Sequence, residues 1–174
     1  MNEFELTYLV KEFPKDLKKS LSKEMVDIYL PSTAEHPDLR IRKSGDRYEI
    51  TRKRPAQEGD ASHQIEITIQ LSKEEFRELS LVPGKRVEKT RYMYEGANAV
   101  MHEIDVFGGE LKGLVLADVE FDSPDAKSKF TMPEWCLAEV TQEKFLAGGM
   151  LCGKTYKDIE KDLARFDYKK LTIK

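Results

Sequence analysis

The chain has 174 residues, enough for one domain with a sizeable core. Apolar residues make up 40% and charged residues 35%, and 29 Lys+Arg against 32 Asp+Glu leave a formal net charge of -3. That near-balance excludes a protein that grips nucleic acid through bulk positive charge, and no apolar run approaches the ~20 residues needed to cross a bilayer.

The chain starts with an acidic pair, Glu3 and Glu5, in a strand-like run at residues 4–10, and the start lacks the basic-then-apolar order of a secretory signal. A soluble, cytoplasmic protein is expected. Residues 14–24 read as a helix. Strand runs follow at 27–30, 39–43 and 47–53, with Ser44-Gly45-Asp46 as the hairpin turn between the last two. A further strand is expected at 63–70. Ser72 followed by Glu75 is a capping box that opens a helix over 73–79. Strands at 87–94 and 100–106 flank a turn at Glu95-Gly96-Ala97, and another strand covers 115–121. Ser123 with Pro124 behind it starts a helix that reaches about Phe130. A last helix over 156–165 carries Ile159, Leu163 and Phe166 at helical spacing, and the tail over 157–174 reads as surface helix and frayed end. With no repeats and no Pro/Gly-rich linker, residues 1–174 form one domain of the α+β class, or a barrel dressed with helices.

The placement of charge on these strands carries the functional information. Alternate residues of a strand face opposite sides. Glu3 and Glu5 therefore share a face, as do Arg40 and Arg42, Lys89 and Arg91, Glu103 and Asp105, and Asp118 and Glu120. Gln64, Glu66 and Thr68 alternate with Ile65, Ile67 and Ile69. An ordinary sheet with one wet face gives the same alternation. Against that reading, the doublets are of single sign, acidic on three strands and basic on two, whereas a solubilising surface mixes signs. The alternative is a sheet whose charged face is enclosed and whose apolar faces are covered by helices. Enclosed charges must pair or bind something. Several basic side chains neutralise a polyphosphate, with Arg offering a bidentate fork. Carboxylates hold Mg²⁺ or Mn²⁺, which bridges phosphate oxygens. No P-loop and no Rossmann glycine pattern is present.

Six segments in this order resemble the CYTH superfamily, the triphosphate tunnel metalloenzymes. They are Leu39-Arg40-Ile41-Arg42, Thr51-Arg52-Lys53, Ile65-Glu66-Ile67, Arg86-Val87-Glu88-Lys89-Thr90-Arg91-Tyr92, His102-Glu103-Ile104-Asp105-Val106-Phe107 and Leu116-Ala117-Asp118-Val119-Glu120-Phe121. The resemblance covers residues 3–154 and implies an eight-stranded antiparallel β-barrel, a tunnel with peripheral helices, that hydrolyses or cyclises triphosphates with a divalent cation. Carried over by position, Arg40, Arg42, Lys53, Lys89 and Arg91 resemble the triphosphate grip, with Tyr29 as a tunnel tyrosine or a packed one. Glu3, Glu5, Asp118 and Glu120 resemble the metal side. Glu103 and Asp105 imply a second metal or an oriented water, and Glu66, with Lys89 and Arg91, the catalytic wall.

Two positions depart from the family. Its opening reads Glu-x-Glu-x-Lys, but here Thr7 stands where the lysine is expected, and Gln64 stands where a wall carboxylate is expected. Lys11, Arg52 and Arg54 are candidates to compensate, although Arg52 and Arg54 face away from Lys53. His36, His63 and His102 show no ligand spacing, and Trp135 reads as a packing anchor. The segment 141–146 is similar to the family's short C-terminal motif, with Lys144 in reach of a phosphate or solvated. The leading expectation is metal-dependent hydrolysis of inorganic tripolyphosphate. The alternatives are a class IV-type adenylate cyclase and a non-catalytic triphosphate-binding module. The expected partner is a small-molecule triphosphate, with no membrane and no sequence-specific nucleic acid. A homodimer is a further expectation, since dimers occur among relatives of the family.

Overall fold

The computed structural model of the chain describes residues 2–173. Nine strands follow one another as β1 (Asn2–Val10), β2 (Leu21–Leu30), β3 (Leu39–Ser44), β4 (Arg47–Gln57), β5 (Asp60–Leu71), β6 (Lys85–Glu95), β7 (Met101–Phe107), β8 (Val115–Phe121) and β9 (Cys136–Glu139). The helices are α1 (Lys73–Leu79), α2 (Pro124–Ser128), α3 (Gly148–Leu151) and α4 (Tyr156–Leu163). Every ladder is antiparallel. The spatial order β5-β4-β3-β2-β6-β7-β8-β1 closes on itself through β1 and β5, at Asn2↔Ile65, Glu3↔Gln64 and Phe4↔His63. The result is the expected eight-stranded barrel. Beyond Phe4 the two strands part, and β9 pairs with β1 at Tyr8–Val10.

The local signals act as their chemistry dictates. Gly45 takes φ 57 in the two-residue turn that pairs Ser44 with Arg47. Ser72 and Glu75 close a reciprocal capping box on α1. Ser123 caps α2 through the Ala126 amide, with Pro124 at its first position. Two expectations are overturned. Residues 14–24 are not a helix, because only a single 3-10 turn forms at Leu17–Lys19 and β2 begins at Leu21. The long edge of β6 takes up that segment, pairing Leu21 with Met93 through Tyr29 with Lys85, so tertiary pairing overrides local helical character. Nor is the tail frayed: Tyr168 is buried, donates its hydroxyl to Gly113 O at 2.9 Å and accepts from Val115 N at 2.8 Å.

The outward rows pack in separate patches. On β1, β7 and β8, Tyr8, Val10, Ile104, Ala117 and Val119 lie under Phe130 and Trp135, with Trp135 set edge-on to His102 at 5.3 Å. On β2 and β3, Ile28, Leu30 and Ile41 lie with Phe76 and Leu79 of α1. Cover is incomplete, contrary to the sequence expectation. Ile65, Ile67 and Ile69 of β5 are 45%, 59% and 61% exposed.

The inward row changes character along the strands. Thr7 is followed by Leu9, Asp27 by Tyr29 and Asp105 by Phe107, while Lys89 is preceded by Val87 and Asp118 by Leu116. These five apolar residues form one core with Val140, Leu146, Leu151, Ile159 and Leu163. The C-terminal segment thus stoppers one end of the barrel, and the charged stretch lies beyond it.

Candidate active site

The barrel encloses a cavity of about 970 Å³. Every residue expected from the sequence to form the site lines it: Glu3, Glu5, Tyr29, Arg40, Arg42, Lys53, Glu66, Lys89, Arg91, Glu103, Asp105, Asp118 and Glu120. The same-sign doublets converge because the inward positions of all eight barrel strands share one interior.

The cations do not sit alone. On β3, Arg42 donates from Nε and Nη2 to the two oxygens of buried Asp27, at 2.6 and 2.7 Å. On β6, Arg91 donates from Nε and Nη2 to the two oxygens of Asp105, both at 2.7 Å, and also pairs with Glu103. Lys89 donates to the same Asp105. Burial alone would raise both aspartates, yet Arg42 holds Asp27, and Arg91 with Lys89 holds Asp105, well below the usual carboxylate range. Lys89 is pushed below the ordinary lysine value by burial, and Arg91 and Arg42 add to this against Asp105. Arg40 reaches Glu66 only at 4.0 Å, and its Nε is sealed from solvent without a hydrogen-bond partner. Such a donor, turned into a polar cavity, suits an anion.

The carboxylates divide into two sets. Glu3, Glu5 and Glu120 bring one oxygen each within 4.8 Å of one another. Lys53 stands beside this set, with Nζ 2.6 Å from Glu5 and 3.0 Å from Glu3. Desolvation raises Glu120 to about 7, and Glu103, Glu3 and Glu5 add to it. Glu5 is raised as well, by burial first and then Asp118 and Glu3, against the pull of Lys53. Crowded carboxylate oxygens, as hard donors, are what a divalent cation relieves, so the donor set fits Mg²⁺ or Mn²⁺. Asp118 is apart from it, accepting from Thr7 Oγ1 at 2.7 Å and 3.7 Å from Arg91. Glu103 and Asp105, expected to bind a second metal or orient a water, are gathered around Arg91 and Lys89.

Sequence reasoning missed Asp27, although it shares a strand face with Tyr29, and that parity alone would have found it. It also assigned no role to His36, which lines the rim of the cavity with Lys144. Burial and Lys144 push His36 below the usual imidazole value. Tyr29 is both wall and core residue: it is buried and lines the cavity, and a Cβ on Gly148 would come within 2.1 Å of its hydroxyl. Glycine is required there by that close approach. Lys11 is exposed and neither it nor Arg52 lines the cavity, whereas Arg54 does, with its Nε 3.5 Å from Asp38. Gln64 lines the cavity and donates to Ala61 O at 2.7 Å.

A match to the CYTH domain family spans residues 1–134. An inorganic triphosphatase of Nitrosomonas europaea is 37% identical over 145 residues, covering 83% of this chain and 92% of that protein. A crystal structure of an inorganic triphosphatase is similar with a TM-score of 0.63 at 32% identity, covering 86% of this chain and 93% of the other. A Hippeastrum adenylyl cyclase candidate with a dominant triphosphatase activity is similar at 11% identity with a TM-score of 0.52, covering 99% of this chain and 92% of the other. At that identity the likeness is one of fold alone.

Proposed function

The chain belongs to the CYTH domain family, and from that premise we propose that it is a divalent-metal-dependent triphosphatase acting on inorganic tripolyphosphate. The observation that carries this is the segregation of charge inside one cavity. Arg40 and Arg42 stand on β3 and Lys89 and Arg91 on β6, the two strands that flank β2, while Glu3 and Glu5 stand on β1 and Glu120 on the adjacent β8.

In this reading Arg40, Arg42, Lys53, Lys89 and Arg91 bind the phosphate chain and neutralise its charge. Glu3, Glu5 and Glu120 would hold Mg²⁺ or Mn²⁺, with Asp118 one inward position away from Glu120 on β8. When bound, the metal polarises phosphate oxygens and offsets the charge that develops on them. Glu66, on β5, accepts from Thr68 Oγ1 at 2.7 Å and serves as the carboxylate that orients the attacking water. The water oxygen bonds to a terminal phosphorus as the anhydride P–O bond breaks. Orthophosphate and pyrophosphate leave, and the water's proton passes to Glu66 and on to solvent. The apolar stopper keeps bulk water from one end of the cavity, which strengthens every charge interaction within.

The partner is thus a small triphosphate. No helix among the described residues is long and apolar enough to cross a membrane, and a cytoplasmic site of action is part of the proposal. Among the aromatic residues lining the cavity, Tyr29 and Phe107 belong to the packed core. This favours an inorganic chain over the ATP of a cyclase, which needs a face for adenine. Phosphate release from tripolyphosphate and from ATP, against enzyme-free controls and with and without each metal, tests the reading. Metal-dependent release from tripolyphosphate is expected. Cyclic AMP from ATP would establish the cyclase, and tight binding without turnover would establish the non-catalytic module.

A further inference from the structure

Two arginines in this cavity are held in the same way. Arg42 and Asp27 are direct cross-strand partners on β3 and β2, and Arg91 and Asp105 are direct cross-strand partners on β6 and β7. In each pair Nε and Nη2 of the guanidinium meet both oxygens of one carboxylate, with all four bonds between 2.6 and 2.7 Å. Asp27 and Asp105 are 2% and 1% exposed, so neither has room to recruit other partners from solvent.

We propose that Asp27 and Asp105 are a matched pair of positioning residues that lock Arg42 and Arg91 edge-on, leaving the Nη1 side of Arg42 as an edge for substrate while Glu103 holds that of Arg91, and that Asp105 is not a metal ligand. The proposal rests on the triphosphatase reading for what the forks hold. A free arginine side chain loses rotamer freedom when it grips a ligand, and a fork already fixed has less of it to lose. Fixing it from Nε and Nη2 leaves one edge of the plane. On Arg42 that edge meets Glu49 only at 4.0 Å, and on Arg91 it meets Glu103. Three of the four lone-pair sites on the Asp105 oxygens accept from Arg91 and Lys89, whereas a metal ligand needs a lone pair turned to the ion. Glu3, Glu5 and Glu120 provide such oxygens elsewhere in the cavity.

The test is a double-mutant cycle read by direct calorimetric titration of tripolyphosphate and, separately, of Mn²⁺ alone, together with steady-state kinetics. Asp27→Asn and Arg42→Lys should each weaken tripolyphosphate binding about ten-fold or more, and the double variant should add no more than about three-fold to either, because the aspartate acts through the arginine. Asp27→Asn should raise KM far more than it lowers kcat. Asp105→Asn should leave the Mn²⁺ affinity within about two-fold of the parent while Glu5→Gln reduces it at least ten-fold. Losses that multiply in the Asp27/Arg42 double variant, or an Mn²⁺ affinity that falls as far in Asp105→Asn as in Glu5→Gln, overturn the proposal. If Asp27→Asn does not fold, Arg91→Lys with Asp105→Asn supplies the second cycle under the same criteria. Because both titrations are made without turnover, a chain that binds tripolyphosphate but does not hydrolyse it would sink the hydrolase reading and still decide this one.

Discussion

Thr7 donates its hydroxyl hydrogen to Asp118 directly across the β1–β8 ladder, with Oγ1 2.7 Å from Oδ1. The hydroxyl thus fixes one carboxylate at the border between the acidic and basic sets, where the family's lysine would add a cation. Thr7→Val keeps the shape and removes the donor. It should lower kcat/KM for tripolyphosphate about three- to ten-fold, in line with the ~1 kcal/mol of a typical hydrogen bond. Thr7→Lys should lower KM severalfold, with the wild type already active. An inert wild type that Thr7→Lys makes active would instead establish the binding-module reading.

Asp27, together with Asp105, should shape the acid limb of stability. Its folded pKa is depressed by Arg42, so its contribution is fully present above the ordinary carboxylate value near 4 and is lost as pH falls toward the folded one. The wild-type melting midpoint should therefore fall steeply between about pH 5 and pH 2, and Asp27→Asn should flatten that limb. At neutral pH, Asp27→Ala leaves Arg42 buried without its partner and should cost about 3–5 kcal/mol in denaturant unfolding. A midpoint profile for Asp27→Asn that overlays the parent would reject this account.

Arg40 offers the cleanest reading of substrate grip. Its ion pair with Glu66 is long and its Nε has no hydrogen-bond partner, and a lysine at this position keeps the positive charge beside Tyr29 and Asp27. Arg40→Lys should raise KM for tripolyphosphate about ten- to hundred-fold through lost bidentate contact, with the melting midpoint within a few degrees of the parent. Steady-state kinetics and thermal unfolding on the same preparation check both halves.

Glu120 should report on the metal. Its folded pKa of about 7 lies above the unfolded value, so folding is favoured while it is protonated and that advantage is lost as pH rises through about 7. Without metal, Glu120→Gln should therefore raise the melting midpoint at pH 8 and leave it little changed at pH 5. The stabilisation that Mn²⁺ gives the parent at pH 8 should disappear in the variant. A parent that Mn²⁺ does not stabilise at pH 8 would remove the acidic trio from consideration as its site.

Much of the site was legible because strand alternation is a local property. Arg40 and Arg42, or Asp118 and Glu120, share a face whatever the fold, and parity also predicts Asp27 beside Tyr29. The strand at 21–26 was not legible, because those residues are extended only by the edge that β6 lends them. The same holds for β9, whose four residues are a strand only against β1. The tail over 157–174 looked frayed because a lone tyrosine says nothing of the Gly113 carbonyl that waits for its hydroxyl.

The sequence by itself determined which side chains travel together: acidic and basic doublets in alternation, the turn at Gly45, the caps of α1 and α2, and the family to which their order belongs. A two-residue period sets which residues share a face but not which face turns inward. That was decided by the closure of β1 onto β5, a contact between residues some sixty positions apart. Closure also decided which cation meets which carboxylate, setting Asp105 against Arg91 and leaving Glu3, Glu5 and Glu120 together. Those pairings depend on the register between strands, and no single strand carries that information.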